Sequence, residues 1–199
     1  VRSLVPTSTD RLRFGLVKMM LDGSIQGFSA RLRWPGYFNG VPNGIWVTAP
    51  SQYEADFETY HRAGLTIHTH TNGDEATELL LNLMEQVLRE QPTPDHRFTL
   101  QHCQLADAAQ YRRMKALGLC VNLFANHHFY WGDEHVRLTV GAERATRMNA
   151  CATALASTMI ALVIGVLGAV QTPGIKALGV TMLLHDKRSR GSRGRCGRF

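Results

Sequence analysis

The sequence lacks the cysteine spacing of a disulfide-built domain. Its four cysteines, Cys103, Cys120, Cys151 and Cys196, lie far apart at irregular intervals with no C-x-x-C, which argues against a disulfide framework. It also lacks a secretory signal: VRSLVPTSTDRLRFGLVKMM has no charged leader followed by an apolar stretch and a small-residue cleavage site, so a cytoplasmic location is expected. The chain opens on Val1 rather than Met, and its natural N-terminus is expected upstream. Net positive charge is scarce outside the tail. The formal net charge is +6, but residues 185–199 hold Lys187, Arg188, Arg190, Arg193, Arg195 and Arg198 against Asp186 alone, leaving +1 for the 184 residues before them. With a near-neutral body the whole-chain charge gives no ground for inferring a basic surface, so a nucleic-acid partner is not expected.

What is present is a strand and helix alternation with imidazoles at the strand ends. In LTIHTHTNGDEATELL, Leu65 to Leu80, His68 and His70 lie two apart on a short apolar run, and alternate residues of a strand face the same way. Asn72-Gly73 ends the strand. Asp74 is expected to cap a helix whose stripe is Leu79, Leu80, Leu83, Met84, Val87 and Leu88. RFGLVKMML (13–21), RFTLQHC (97–103) and GLCVNLF (118–124) read as three further strands. Ser51-Gln-Tyr-Glu54 and Asp107-Ala-Ala-Gln110 read as capping boxes opening two more helices. Residues 22–50, rich in Gly, Pro and aromatics, form a long loop of the kind that is functional or disordered. Its Phe28, Trp34, Tyr37, Phe38 and Trp46 suit either a lid over an apolar amide or packing. The alternation argues for an α/β fold with a parallel sheet.

The carboxyl ends of these strands carry, in turn, Lys18, His70, His102 and Asn126-His127-His128. That edge is where parallel sheets and barrels collect ligands. Each residue has a plainer reading: a lone Lys is often a snorkelling edge residue, and a lone strand His is often a hydrogen-bonded core residue. Histidines ending consecutive strands, however, suit a divalent metal that activates water.

The stretches VKMMLDGSIQG, IHTHTNGDEAT, RFTLQHCQLAD, LGLCVNLFANHHFYWGDEH and TVGAERATRMNACATAL resemble, in order and spacing, successive blocks of the metal-dependent amidohydrolase superfamily. They are most similar to the branch that includes N-substituted formamide deformylase, over about residues 10–155. The resemblance implies a partial (β/α)8 TIM-type barrel over residues 1–155 and hydrolysis of a carbon–nitrogen bond other than a peptide bond in a small-molecule amide, such as an N-formyl or N-acyl amine. It implies a divalent metal, zinc by expectation, as one or two ions. His70 matches the family's fifth-strand ligand and His102 its sixth-strand ligand. Lys18 matches the lysine that is carbamylated in two-metal members. His127 sits where the family places a residue facing the substrate, with Trp131 expected beside it. His68 has no ligand counterpart and is expected to orient the site or fill the core. A strand H-x-H can also put both imidazoles on one ion, and that alternative stays open. The family's first-strand H-x-H and its late His-Ser-Asp find no match in the sequence.

Residues 156–199 form an atypical tail, apolar and then basic. No charge occurs from Met148 to Ile175, and LASTMIALVIGVLGAV admits a transmembrane helix through 155–175, a buried barrel helix, or a non-native tail. The chain is thus expected to be the central fragment of an amidohydrolase, inactive by itself and prone to oligomerise. The alternative is a non-catalytic remnant or membrane-tethered interaction module.

Overall fold

Leu16–Met20 forms β1, a strand whose Leu16, Lys18 and Met20 are exposed while Met19 is buried. That alternation places one face of the strand in the core and leaves the other open. The computed structural model describes residues 2–157, 160–166 and 179–185, the last two segments as strands only. The element order continues with α1 (Pro50–Arg62), β2 (Thr66–Thr71), α2 (Asp74–Glu90), β3 (Thr99–His102), α3 (Ala108–Ala116) and β4 (Cys120–Phe124). Then follow α4 (Asn126–Glu134), a π-helical turn at His135–Thr139, α5 (Gly141–Ala145), α6 (Cys151–Ser157), β5 (Ile160–Val166) and β6 (Gly179–His185). The six strands form one sheet in sequential order. β1 to β5 pair parallel, and β6 pairs antiparallel with β5.

The main core lies between the sheet and helices α1 to α3. Met19, Ile67, Leu100, Val121 and Leu123 from the strands meet Tyr53 and Phe57 of α1, Leu80, Leu81 and Met84 of α2, and Tyr111 and Met114 of α3. Each fully buried Leu or Met here contributes about 1.5–3 kcal/mol of hydrophobic stabilisation. The long segment between β1 and α1 is ordered and has a core of its own, in which Ile25, Ala30, Leu32 and Tyr37 pack with Leu105, Val140, Ala145 and Met148. Phe28 sets its ring edge-on to Tyr37, and Arg31 lies over Trp46. These aromatics therefore pack, whereas Trp34 at 93% and Phe38 at 65% remain exposed.

Three local expectations are corrected. The helix expected from Ser51 begins at Pro50 after Ala49, with no side-chain cap, because proline at the first helical position is pre-set in φ and needs no N–H partner. The cap of α2 is Gly73, not Asp74; the neighbouring loop does the capping, with Arg31 O accepting from Glu75 N at 3.2 Å. The apolar run after Leu155 is not helical at 160–166 but a strand, β5. Ile160, Val163, Ile164 and Val166 are β-branched, and β4 offers them a parallel edge, so the propensity of such residues for strands is realised. Among the described residues no helix is long and apolar enough to cross a membrane. The expectations for residues 158–159, 167–178 and 186–199, including Asp186 and the basic run, lie outside the described residues. The capping box at Asp107 is present as expected: Asp107 accepts from Gln110 N, and the Gln110 side chain accepts from Asp107 N.

Candidate functional site

Parallel register brings His70 and His102 to one edge of the sheet, while Lys18, expected at the end of β1, lies in the middle of that strand. Lys18 pairs with His68, Met20 with His70, His70 with Gln101, and Thr71 with His102. The segment after β1 then turns back across the end of β2 and is held there by Asp22. This carboxylate is fully buried. Its Oδ1 accepts from Asn72 N at 2.9 Å, and its Oδ2 accepts from Gly73 N at 2.9 Å and Arg31 N at 3.0 Å. Burial pushes the Asp22 carboxyl up to about 7, against the pull of those three backbone N–H groups. The approach is close enough to require glycine: a Cβ on Gly73 would stand 1.8 Å from Arg31 O.

That clasp sets His70. Its Nε2 donates to Gly23 O at 3.0 Å. Asn72 Nδ2 donates to the same carbonyl at 2.8 Å and so lies 3.1 Å from the His70 nitrogen; a donating Nε2 has no lone pair to accept with, so the two groups share the carbonyl. The tautomer fixed in this way leaves a lone pair on Nδ1, the arrangement in which a backbone carbonyl orients a metal-ligating imidazole. The His70 and His102 ring centroids are 4.8 Å apart at 70°. His102 and Cys103 adopt left-handed backbone, with φ of 75° and 44°, so β3 ends in a sharp turn at the histidine. Among the described residues the His102 ring nitrogens have no hydrogen-bond partner. Burial holds His102 down to about 3, with His70 adding to the effect, and burial also lowers His70. Both imidazoles are therefore neutral at pH 7, the state in which they bind metal.

Lys18 Nζ donates to Gln101 Oε1, and Gln101 Nε2 donates to His68 Nδ1 at 3.0 Å. Loss of solvation around its head group lowers Lys18 to about 8. Burial lowers His68 to about 4. His127 does not join the histidine pair directly. Phe124 stands between, with its ring 6.1 Å from His102 and 5.0 Å from His127. His127 Nδ1 is buried without a hydrogen-bond partner among the described residues. Trp131 lies on α4 beside the exposed Phe129 and Tyr130. The Asp74 carboxylate is taken up by other partners: Arg144 donates to its two oxygens at 3.0 and 3.1 Å, and Arg33 N donates at 3.0 Å.

Sequence reasoning missed Asp22, Gly23, Gln101 and Phe124. The signal for the first two was the Asp-Gly immediately after a strand. Gln101 and Phe124 carried none, since only the register shows what they touch.

Among the described residues no three His, Cys, Asp or Glu side chains converge closely enough to hold a metal ion. The donor set nonetheless fits a divalent cation in part. His70 keeps Nδ1 and neutral His102 one ring nitrogen as donors, and Lys18 stands on the neighbouring strand β1, able as a carbamate to give oxygen.

A model of the amidohydrolase family matches residues 2–162. Protein LONG AFTER FAR-RED 3 of Arabidopsis thaliana is 27% identical over 137 residues, which is 68% of this chain and 23% of that protein. A crystal structure of an uncharacterized metal-dependent hydrolase from Pyrococcus furiosus is similar with a TM-score of 0.65 at 23% identity, over 81% of this chain and 34% of that one. One from Pyrococcus horikoshii OT3 is similar with a TM-score of 0.65 at 22% identity, over 78% of this chain and 30% of that one. At this identity the likeness is one of fold. The chain spans about a quarter of the curated relative's length and about a third of each solved structure.

Proposed function

This chain belongs to the amidohydrolase family, and on that premise we propose that it is the ligand-bearing part of a metal-dependent hydrolase acting on carbon–nitrogen bonds other than peptide bonds. The observation that carries the reading is the pair His70 and His102, neutral and 4.8 Å apart at the ends of adjacent strands. His70, His102 and Lys18 would hold the divalent ion, zinc by preference, with donors from elsewhere in the whole protein completing the site. When bound, the ion supplies the Lewis acidity that lowers the pKa of water and polarises the substrate carbonyl. His70 keeps its ring oriented through Gly23 O, His102 stays uncharged in its half-buried place, and Phe124 shields the pair on the side of His127. His127 would face the substrate, with Trp131 on the same helix beside it. The sequential parallel strands β1 to β5 support a segment of a (β/α)8 barrel as the setting. The resemblance to the deformylase branch supports N-formyl or N-acyl amines as substrates, and a cytoplasmic setting accompanies the reading.

The test is metal uptake. Metal-free chain equilibrated with zinc should retain one or two ions by elemental analysis and lose them in the double variant His70→Ala/His102→Ala. Undiminished zinc in the double variant rejects the assignment. In the complete protein, Lys18→Ala and Lys18→Arg should both abolish amide hydrolysis, because a guanidinium stays cationic. A fully active Lys18→Arg enzyme would leave the histidines alone as ligands.

A second reading, a non-catalytic remnant, is favoured by one observation. β6 runs antiparallel along β5 from Ile160↔His185 to Val166↔Gly179, on the edge where a further parallel strand would extend a barrel. Turnover of N-formyl or N-acyl amines by the isolated chain at enzyme-like rates would exclude this reading.

A further inference from the structure

The family resemblance assigns no role to His68 or Gln101, yet the sheet brings both to Lys18. Lys18 lies opposite His68, whereas Gln101 lies opposite His70, one pleat further along β3. The Gln101 side chain reaches diagonally back to both Lys18 and His68. Its carboxamide has one end that accepts and one that donates. An ammonium only donates, so the end that faces Lys18 Nζ has to be Oε1. The amino end then faces His68 Nδ1 at 3.0 Å, and that nitrogen has to be the one with the lone pair. The proton of neutral His68 consequently sits on Nε2. The polarity of the whole chain, from ammonium to carboxamide to imidazole, runs in one direction only.

We propose that Gln101, held in its orientation by His68, is a positioning residue that fixes Lys18 Nζ beside the His70–His102 pair. The proposal rests on the reading of Lys18 as a donor to a divalent centre and adds the device that aims it. A lysine stem has four rotatable carbons, and without a fixed acceptor its head group would spread over the open face of β1, where Leu16 and Met20 are also exposed. Gln101 supplies that acceptor. His68 prevents the carboxamide from turning over, which would present an NH2 group to the ammonium and release it. A glutamate in the same place would hold Lys18 without help, because both its oxygens accept; a glutamine needs the second partner. This gives the first histidine of the H-x-H a purpose separate from the second: His70 faces His102, and His68 faces the residue that holds Lys18.

The test reads Lys18 in the metal-free full chain, by reductive methylation and peptide mass spectrometry, with the exposed Lys115 as internal reference. Gln101→Met, which keeps the volume, and His68→Leu should each raise the rate at Lys18 relative to Lys115 several-fold. His68→Asn, whose Oδ1 can accept the same hydrogen bond, should stay near the original rate. In a Gln101→Glu background, His68→Leu should change nothing further at Lys18. The proposal is overturned if Gln101→Met or His68→Leu, folded by circular dichroism, leaves Lys18 unchanged, or if His68→Leu acts equally in the Gln101→Glu background. The unsubstituted protein offers a readout that no folding defect can obscure: 15N spectra of the imidazoles should show His68 protonated at Nε2 and not at Nδ1, and the opposite tautomer refutes the proposal. A chain that shows this linkage but takes up no divalent ion refutes the metal reading alone. One that binds zinc with Lys18 indifferent to Gln101 refutes the positioning role alone.

Discussion

His70 and Gly23 are hydrogen-bonded across the end of the sheet, Nε2 to carbonyl oxygen at 3.0 Å, although 47 residues separate them in sequence. Gly23 is in place because Asp22 beside it gathers the N–H groups of Asn72, Gly73 and Arg31. Asp22→Ala removes an acceptor shared by two buried donors and a part-buried one, a buried donor costing about 1–3 kcal/mol when left unsatisfied. Urea denaturation should show a loss of roughly 3 kcal/mol or more. The same variant should weaken zinc binding about 10- to 100-fold by releasing the carbonyl that orients His70. Unchanged stability would mean that the clasp is not formed in solution.

Gly73→Ala tests the close approach from the other side. Its Cβ would meet Arg31 O at 1.8 Å and Arg31 C at 2.5 Å, both backbone atoms that cannot rotate away. The loop has to move, and the hydrogen bonds to Asp22 and Gly23 move with it. A lowered melting temperature together with weakened zinc retention is expected. Gly132→Ala is the control, since nothing lies within 4 Å of a Cβ there and the residue is helical.

Arg144 ties α5 to the start of α2 and to the long loop, donating to Asp74 and to Gly36 O at 2.9 Å. Both partners are largely sheltered, with side chains 13% and 15% exposed. Arg144→Met leaves the Asp74 carboxylate in this setting without its cation, a change that costs about 3–5 kcal/mol when a pair is fully buried and somewhat less here. Arg89→Met breaks an exposed pair with Glu85 and should cost under about 0.5 kcal/mol. Equal midpoints in chemical denaturation would contradict this ranking.

His135 gives a pH dependence. It is buried, with Nδ1 against Thr139 Oγ1 at 2.8 Å and Nε2 unpartnered among the described residues. Burial holds it down to about 4 from an ordinary 6.5, with His127 and His128 lowering it further and Glu134 opposing them. Above the ordinary value neither folded nor unfolded chain binds the proton, and the contribution is complete. As pH falls through 6.5 the unfolded chain takes up the proton first, so stability is lost progressively until the folded form also titrates near 4. The loss from this residue is roughly 3 kcal/mol across that window. Denaturation midpoints at successive pH values should fall less steeply for His135→Asn, and identical slopes would remove His135 from the account.

Much of the fold was legible because the signals were local. The strands at 16–20, 66–71, 99–102 and 120–124 came from short apolar runs bounded by turns, and the α2 face from its 3.6-residue period. The apolar run after Leu155 was not, because its hydrophobicity is equally suited to a buried helix and to a strand. What decided it was the free edge of β4. The missed caps have a related cause: Asp74 is a good capping residue by type, but the Arg31 carbonyl already satisfies the first turn of α2 and Arg144 takes the carboxylate.

The sequence by itself determined which strands carry Lys18, His70 and His102, since order along the chain and alternation along a strand are properties of neighbours. Only the tertiary structure decided what those side chains touch. Lys18 meets Gln101 at a separation of 83 residues, and Asp22 meets Gly73 at 51. The physical reason is that a polar side chain's partner is chosen by sheet register and by the path of a packed loop. Both are set by burial of the core on the opposite face of the sheet, where Ile67, Leu100 and Leu123 lock the strands, and neither leaves a mark in the residues adjacent to the site.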